Sequence, residues 1–414
     1  MELIETKTLN CRICGGSNLF EAMDFGNLAL TGVFQKDGGQ VPTAPLCLCR
    51  CQDCGLVQLG HSYQQESLYG ETYGYESHLN PSMVSHLQAK AKMLERKYLA
   101  GKSQPVVVDI ASNDGTLLAG YTNPNARLIG IDPLINVVTD HYPATAIKLQ
   151  EFFSASGYLS RISEKADLVT SLSVLYDLDN PRKFAQDIAE ILNENGIWHF
   201  EQSYLPTMVD TLSYDTICHE HLLYLTLSDI QNLLAGTDLI IIDASLNSIN
   251  GGSITVTAQK SSGKTRSPFV DFLIDKEAKS GYRTNEPIKR FSEKASQHKT
   301  DLKDLIQKYL DSGFDVYALG ASTKGNVLLQ WLGIDQNMIQ SIGDVNPRKF
   351  GKQTPGTCIP IVAEDEILNL ADENVIAVVL PWHFRQGIVT KSQQFMQSGG
   401  ALLFPLPQIE VVSI

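Results

Sequence analysis

Four cysteines near the start of the chain have the spacing of metal ligands. Cys11 and Cys14 form one C-x-x-C pair, Cys51 and Cys54 form a second, and a glycine follows each pair. Each pair can place two thiolates on one metal, and two pairs complete a tetrahedron around zinc. Four protein thiolates leave no open coordination position, so we predict a structural rather than a catalytic zinc. The long gap between the pairs predicts an intervening hairpin.

A second group of candidate residues lies between Tyr214 and His221. His219, Glu220 and His221 fall within three residues. Metal binding is disfavoured, because residues two apart share a face only on an extended strand and no third ligand is evident. A general base is favoured, since an imidazole oriented by a carboxylate can remove a proton from carbon beside a carbonyl. A surface loop without a role is the alternative.

A third group is aromatic and acidic. Tyr69, Tyr73 and Tyr75 form a dense cluster, and a tyrosine hydroxyl can donate to an enolate oxygen or help to bind a sugar. Aromatic packing at a domain junction is the alternative for each tyrosine taken singly. Glu201 and Tyr204 follow a predicted strand, at the sheet edge where active sites collect.

The segment Val106–Asp114 indicates a nucleoside-binding site. A run of β-branched residues ends in Asp109, a Ser/Asn/Asp/Gly turn follows, and a helix is predicted to begin after it. A second strand ends in Asp132, about 20 residues further on, where a carboxylate can accept hydrogen bonds from both ribose hydroxyls. The loop lacks the glycines that a pyrophosphate requires, which favours S-adenosylmethionine over NAD.

These residues are positioned by three predicted regions. Residues 1–70 form the zinc-binding domain. Residues 71–262 form an α/β unit with a mostly parallel sheet, because short apolar strands alternate with helical patterns. Its predicted strands are 106–110, 127–131, 146–149, 167–171, 195–202, 238–246 and 251–260, the last two as an antiparallel hairpin.

Residues 263–414 begin with a charged helix over 286–310 and continue with a second strand–glycine–helix unit from Phe314. Asp344 ends the next strand. This region predicts either a second nucleotide site or a Rossmann-like scaffold without one.

Bulk composition excludes several classes of partner. The 414 residues are 43% apolar and 19% charged, with a net charge of −13, so the surface should repel nucleic acid and anionic membranes. No apolar run is long enough to span a membrane, and the N-terminus lacks the form of a signal peptide. We therefore expect a cytoplasmic protein whose eight cysteines are not disulfides. Its partner should be a small-molecule substrate, with no nucleic acid and no membrane.

Taken together, the motifs resemble those of the three-domain sugar C-methyltransferases that act on nucleotide-linked 4-keto-deoxysugars. The resemblance runs along the whole chain. It rests on the cysteine pairs, on a Y-x-Y-x-S segment at Tyr73, on DIASNDGTLL from Asp109, and on the Glu201–Gln202 and His219–His221 segments. Later matches are Asn250–Ser253 and Gly343–Thr357.

The resemblance implies a fold and a reaction. The fold is an N-terminal zinc-binding domain, a class I methyltransferase Rossmann-like domain, and a C-terminal Rossmann-like α/β domain that holds the nucleotide. His221 would remove the proton beside the ketone, and Glu220 and Tyr75 would orient the substrate or stabilise the enolate. His219 is the further catalytic candidate. The carbanion would then take the methyl group of S-adenosylmethionine.

The remaining site predictions concern cofactor and substrate. Cofactor-binding residues are predicted to be Asp109, Ala111, Ser112, Asn113, Gly115, Asp132, Pro133, Phe152, Phe153 and Ser171. Substrate-binding residues are predicted to be Tyr73, Glu201, Tyr204, Asn250, Gly251 and Lys324.

Two positions depart from the family pattern. Cys218 stands where a tyrosine is common, and Asp177 stands where better-understood members carry a histidine; both are expected near the substrate. Two alternatives stay open. One is methylation of another acidic C–H, or of oxygen or nitrogen. The other is a non-catalytic S-adenosylmethionine-binding protein, which would have no need of a base.

Overall fold

A computed structural model of the chain describes residues 5–36, 39, 41–64, 68, 75–260, 265–370 and 374–414. Tyr69 and Tyr73 lie outside the described residues. No helix among the described residues is long and apolar enough to cross a membrane.

The N-terminal region is built on antiparallel strands around the cysteine pairs. Its strands are β1 (Glu5–Lys7), β2 (Leu19–Ala29), β3 (Thr43–Cys51), β4 (Val57–Leu59) and β5 (His61–Tyr63). β2 and β3 form the hairpin predicted between the cysteine pairs. The outer strand of this sheet, β11 (Leu223–Tyr224), comes from far along the chain and pairs with β4. The segment that follows His221 is therefore attached to the zinc-binding region.

The central sheet has the strand order β12–β13–β10–β9–β6–β7–β8. Its strands are β6 (Val106–Ile110), β7 (Arg127–Ile131), β8 (Ile147–Leu149), β9 (Ala166–Leu172), β10 (Leu192–Ser203), β12 (Leu239–Asn247) and β13 (Ser253–Lys260). β10 to β8 pair in parallel, and β12–β13 is the antiparallel hairpin that the sequence predicts. All five residues of β6 are buried, as expected for a strand covered on both faces.

Helices cover this sheet on both faces and lead into the C-terminal region. They are α1 (Pro81–Leu94), α2 (Ala155–Arg161), α3 (Pro181–Ile191), α4 (Leu205–Asp210), α5 (Leu227–Leu234), α6 (Pro268–Lys279) and α7 (Glu286–Asp311).

The C-terminal sheet has the order β16–β15–β14–β17–β18–β19 and is parallel except for its last strand. Its strands are β14 (Asp315–Leu319), β15 (Ile342–Asp344), β16 (Ile361–Ala363), β17 (Val375–Val379), β18 (Ala401–Phe404) and β19 (Glu410–Val412), with helices α8 (Thr323–Leu332), α9 (Glu364–Leu368), α10 (Arg385–Lys391) and α11 (Gln393–Gln397). The α/β fold class with a zinc-binding region and two Rossmann-like sheets is confirmed. The division of the chain at residues 70 and 262 stays a prediction.

The prediction of a helix after the loop that follows β6 is wrong. The chain instead makes turns and a short 3-10 segment, Leu118–Gly120. The loop before this segment, as predicted, is a tight turn in which Ala111, Asn113 and Gly115 have positive φ. The segment ends against α1, because a Cβ added at Gly120 would lie 2.9 Å from Cα of Gln88.

Candidate active site

The four cysteines of the two C-x-x-C pairs converge as the spacing predicts. Their sulfur atoms all lie within 4.8 Å of one another, with Cys11–Cys54 at 3.5 Å and Cys14–Cys51 at 3.6 Å. Zinc–sulfur bonds of about 2.3 Å in a tetrahedron place the sulfurs about 3.8 Å apart, so the set fits zinc. Four cysteine ligands leave no open coordination position, which makes this zinc structural.

One cavity of about 450 Å³ lies between the central and C-terminal regions. Tyr75, Asp132 and His221 line it from the central region, and Lys324 and His383 line it from the C-terminal region. This volume is within the range that binds small molecules and cofactors.

The carboxyl ends of β6 and β7 form one wall of the cavity. Asp132 uses its two carboxylate oxygens to accept the backbone N–H groups of Asn113 (2.9 Å) and Leu134 (2.7 Å). Each oxygen keeps a second lone pair for a ligand hydroxyl. Asp109 is buried and accepts the hydroxyl of Thr170 at 2.7 Å. Burial raises the pKa of Asp109 to about 7 and also raises the pKa of Asp132.

Tyr142 supports the loop between these strands, and sequence reasoning missed it. A Cβ at Gly115 or at Gly130 would lie 2.5 Å from its ring, so the ring fills the space that the two missing side chains leave. Its hydroxyl donates to the carbonyl of Asn113 at 2.8 Å and lies 2.7 Å from the hydroxyl of Ser112. In the sequence, the only sign of this packing was the presence of glycine at positions 115 and 130.

The segment carrying Tyr75 is hydrogen-bonded to the same loop. The side chain of Asn113 accepts the N–H of Ser77 (3.1 Å) and donates to the carbonyl of Tyr75 (3.2 Å). Glu76 pairs with Arg348 of the C-terminal region at 2.8 Å. Tyr75 lines the cavity although its side chain is 47% exposed.

His221 has the geometry of a general base. Its Nδ1 lies 2.7 Å from the carbonyl of Thr216, and a carbonyl only accepts, so Nδ1 carries the proton and Nε2 keeps its lone pair. Nε2 has no hydrogen-bond partner among the described residues, and the ring packs edge-on against Tyr176, 4.4 Å between centroids. Burial lowers the pKa of His221 to about 4, and the charge of Lys324 acts in the same direction. The imidazole is therefore neutral at physiological pH.

Glu220 joins the central and N-terminal regions. Its carboxylate accepts the hydroxyl of Thr31 at 3.3 Å, and the thiol of Cys218 also donates to it. A Cβ at Gly32 would lie 3.0 Å from Oε1. Burial raises the pKa of Glu220. Glu220 lines the cavity, as does Asp177, whereas the buried Cys218 does not.

Lys324 stands at the first turn of α8. Its Nζ donates to the carbonyl of Asn250 at 2.7 Å. Asn250 itself has positive φ in a short turn that follows β12. Burial lowers the pKa of Lys324, opposed by the charge of Asp215. Both Lys324 and Asn250 line the cavity.

Several residues that the sequence predicts for the active site lie outside the cavity lining. Among the described residues, those predicted for the site that do not line the cavity are Gly115, Ser171, Tyr204, His219 and Gly251. The hydroxyl of Ser171 accepts the indole N–H of Trp198, and the hydroxyl of Tyr204 donates to Glu277.

His219 is fully buried beneath the N-terminal sheet. Its Nε2 lies 3.2 Å from the carbonyl of Ala44, and its ring is edge-on to Tyr63. Burial lowers the pKa of His219 to about 4.

Glu201 reaches the cavity, but its oxygens are already occupied. It accepts from His86 (2.7 Å), Lys90 (2.9 Å), Asn247 (2.6 Å) and Thr255 (2.7 Å). These contacts hold the pKa of Glu201 well below its usual range. This hydrogen-bond network joins α1 to the sheet. The sequence pattern did not predict it.

Ala111, Ser112, Asn113, Pro133, Phe152 and Phe153 line the cavity with Asp109 and Asp132. Eight of the ten predicted cofactor residues therefore line the cavity, and His221, Glu220 and Lys324 lie on the same cavity. These residues fit S-adenosylmethionine, because the carboxylates can accept hydrogen bonds from its ribose hydroxyls and face its positive charges, and the two phenylalanines suit an adenine ring.

Three family models match consecutive parts of the chain. A zinc binding domain model matches residues 11–69, a methyltransferase domain model matches 83–244, and a C-methyltransferase C-terminal domain model matches 248–407. The C-methyltransferase NovU of Streptomyces niveus is 25% identical over 418 residues, covering 97% of this chain and 96% of that protein. The three matched domains follow one another along the chain, which is similar over nearly its whole length to a C-methyltransferase. The chain is an S-adenosylmethionine-dependent methyltransferase.

Solved structures resemble part of the chain. An O-methyltransferase family protein from Burkholderia thailandensis is 16% identical with a TM-score of 0.34, covering 44% of this chain and 58% of that one. The magnesium protoporphyrin IX methyltransferase of Synechocystis PCC 6803, with bound SAH, is 15% identical with a TM-score of 0.33, covering 43% and 85%. Similarities at this level carry no information on the substrate.

Proposed function

We propose that the enzyme methylates the carbon next to the ketone of a nucleotide-linked sugar, with His221 as the base. The hydrogen bond from Nδ1 of His221 to Thr216 carries the proposal, because it leaves an unprotonated Nε2 on the same cavity as the cofactor residues. A binding protein would not need such a group. Methyl transfer to a hydroxyl removes a more acidic proton and therefore depends less strongly on a positioned base.

Cofactor binding is assigned to the end of the cavity formed by β6 and β7. Asp132 would hold the ribose hydroxyls, Asp109 would face the positively charged methionine end, and Phe152 and Phe153 would contact the adenine. When bound, S-adenosylmethionine supplies an electrophilic methyl group.

The residues of this chain prepare the acceptor carbon. Nε2 of His221 takes the proton from the carbon beside the ketone. Glu220 and Tyr75 orient the sugar, and the nucleotide lies on the C-terminal region. Asp177, where relatives carry a histidine, lines the cavity and would contact the sugar.

The decisive experiment incubates the enzyme with labelled S-adenosylmethionine and a panel of nucleotide-4-keto-sugars. We expect label to enter one of these sugars at carbon. Label on oxygen or nitrogen would replace this proposal with the alternative methylation, and no transfer to any keto-sugar would refute the substrate class.

A further inference from the structure

We propose that Lys324 is a catalytic residue whose ammonium group stabilises the enolate oxygen, and that the diphosphate of the substrate lies outside the cavity. This inference rests on the proposed function and deepens it. Lys324 would stabilise the negative charge that develops on the enolate oxygen during the reaction. It would not bind the negative charge of the nucleotide's diphosphate.

The first argument is the balance of charge around the cavity. Among the described residues that line it, Lys324 is the only lysine or arginine. The carboxylate side chains on the same lining are Asp109, Asp132, Glu151, Asp177, Glu201 and Glu220. A diphosphate carries at least two negative charges, and proteins commonly recognise phosphates with several cationic or forked arginine donors. A cavity with one lysine and this many carboxylates would repel it.

The second argument is the incomplete pairing of Lys324. An ammonium group has three N–H donors, and one is used by the carbonyl of Asn250. Among the described residues, no carboxylate oxygen lies within ion-pair distance of its Nζ, and the pKa of Lys324 is lowered by burial. A half-buried cation with free donors stabilises a negative charge most when that charge appears beside it in a water-poor site.

The third argument is the position of Lys324 relative to the base. Thr216, which holds His221, lies in the 3-10 turn Tyr214–Thr216, and this turn packs against α8, the helix that begins beside Lys324. The positive charge of Lys324 is close enough to lower the pKa of His221. Proton acceptor and oxyanion partner thus face one cavity from two packed elements.

The proposed step balances. The C–H bond beside the ketone breaks, and its proton forms a bond to Nε2 of His221. The electron pair of that C–H bond becomes the new carbon–carbon double bond. The carbonyl π pair moves onto oxygen, where the ammonium of Lys324 donates to it.

The test compares Lys324→Met, which keeps the length of the side chain, with Lys324→Arg and with Lys303→Met as a matched control. Lys303 also donates to a backbone carbonyl, that of Gly333, but does not line the cavity. Single-turnover methyl transfer is measured at saturating keto-sugar, and the affinities for dTDP, UDP and GDP are measured by calorimetry.

We expect Lys324→Met to slow single-turnover transfer by on the order of 10²-fold, the usual effect of losing one oxyanion donor. Lys324→Arg should recover part of the rate, and Lys303→Met should match the wild type. The affinity for the preferred nucleoside diphosphate should stay within about twofold, as should that for S-adenosylhomocysteine. If Lys324→Met does not fold, Lys324→Gln, which can still donate to Asn250, serves in its place.

The opposite pattern would overturn the proposal. Nucleoside diphosphate affinity lost by tenfold or more, with an unchanged rate at saturation, would make Lys324 a phosphate ligand. If the wild type transfers no methyl group to any keto-sugar, the proposed function itself fails, and that outcome is visible before any variant is made.

Discussion

The imidazole Nδ1 of His221 lies 2.7 Å from the backbone carbonyl of Thr216. This one contact selects the tautomer and leaves Nε2 available toward the cavity. It also distinguishes His221 from His219, whose Nε2 points to the carbonyl of Ala44 in the protein interior.

The first prediction concerns His221. General-base catalysis typically contributes about 10²–10⁴-fold, so His221→Asn should lose at least the lower end of that range in methyl transfer while still binding S-adenosylmethionine. With a keto-sugar in heavy water and S-adenosylhomocysteine bound, wild-type enzyme should exchange the proton beside the ketone, and the variant should not. A variant that exchanges at the wild-type rate would move the base to another residue of the cavity, with Tyr75 as the next candidate. The exchange comparison applies once exchange by the wild type has been observed.

The second prediction concerns Asp132. A carboxylate that accepts two hydroxyls contributes about 1.5–3 kcal/mol, so Asp132→Ala should weaken S-adenosylmethionine binding by roughly tenfold to a hundredfold. Its loss also frees the N–H groups of Asn113 and Leu134, so thermal unfolding must be measured beside calorimetry. Asp344→Ala is the control at the end of β15, and its cofactor affinity should equal that of the wild type. Unchanged affinity in folded Asp132→Ala would remove this residue from the site.

The third prediction concerns Tyr142. Tyr142→Phe keeps the ring that fills the space beside Gly115 and Gly130 and removes only the hydroxyl bonded to Ser112 and Asn113. A hydrogen bond contributes about 1 kcal/mol, so affinity for S-adenosylmethionine should fall by roughly fivefold. Tyr317→Phe, which removes a hydroxyl on the C-terminal sheet, is the control. Equal affinities in the two variants would show that the hydroxyl does not order the loop.

The fourth prediction concerns zinc. Purified protein should contain about one zinc per chain, because the four sulfurs form one tetrahedral set. Cys14→Ser and Cys54→Ser should lower the unfolding temperature more than they change cofactor affinity, whereas Cys358→Ser, at an exposed position away from the cluster, should change neither. Metal analysis that finds no zinc, or chelation that stops catalysis in a protein that stays folded, would contradict a structural role.

The fifth prediction concerns pH. The base acts when neutral, and the pKa of His221 is lowered to about 4. Proton exchange by the free enzyme should therefore be flat from neutral pH down to about 5 and fall as the imidazole becomes protonated below that. Among the described residues, the groups that face His221 are Thr216, Tyr176 and Lys324, and of these only Lys324 carries a charge that lowers the pKa of His221. An acid limb centred near 6.5 would mean that the imidazole is solvated rather than buried.

Local sequence patterns were sufficient for much of the architecture. The C-x-x-C pairs, the β-branched run before Asp109 and the acidic end of β7 depend on residues close together in the chain, so their structure follows from short-range preferences. The exception is the segment after Asp114, where turns and a short 3-10 segment that packs against α1 replace the predicted helix.

The chemistry of individual side chains was decided by contacts between distant residues. His219 and His221 look equivalent in the sequence. They differ in the structure because His219 contacts the carbonyl of Ala44 in the interior, whereas His221 contacts the carbonyl of Thr216 and lines the cavity. From the sequence, Glu201 was expected to be free to bind substrate. In the structure its carboxylate is paired with His86 and Lys90 of α1. That Lys324 lines the same cavity as His221 is likewise a property of the assembled chain, because the two residues are brought together by long-range packing.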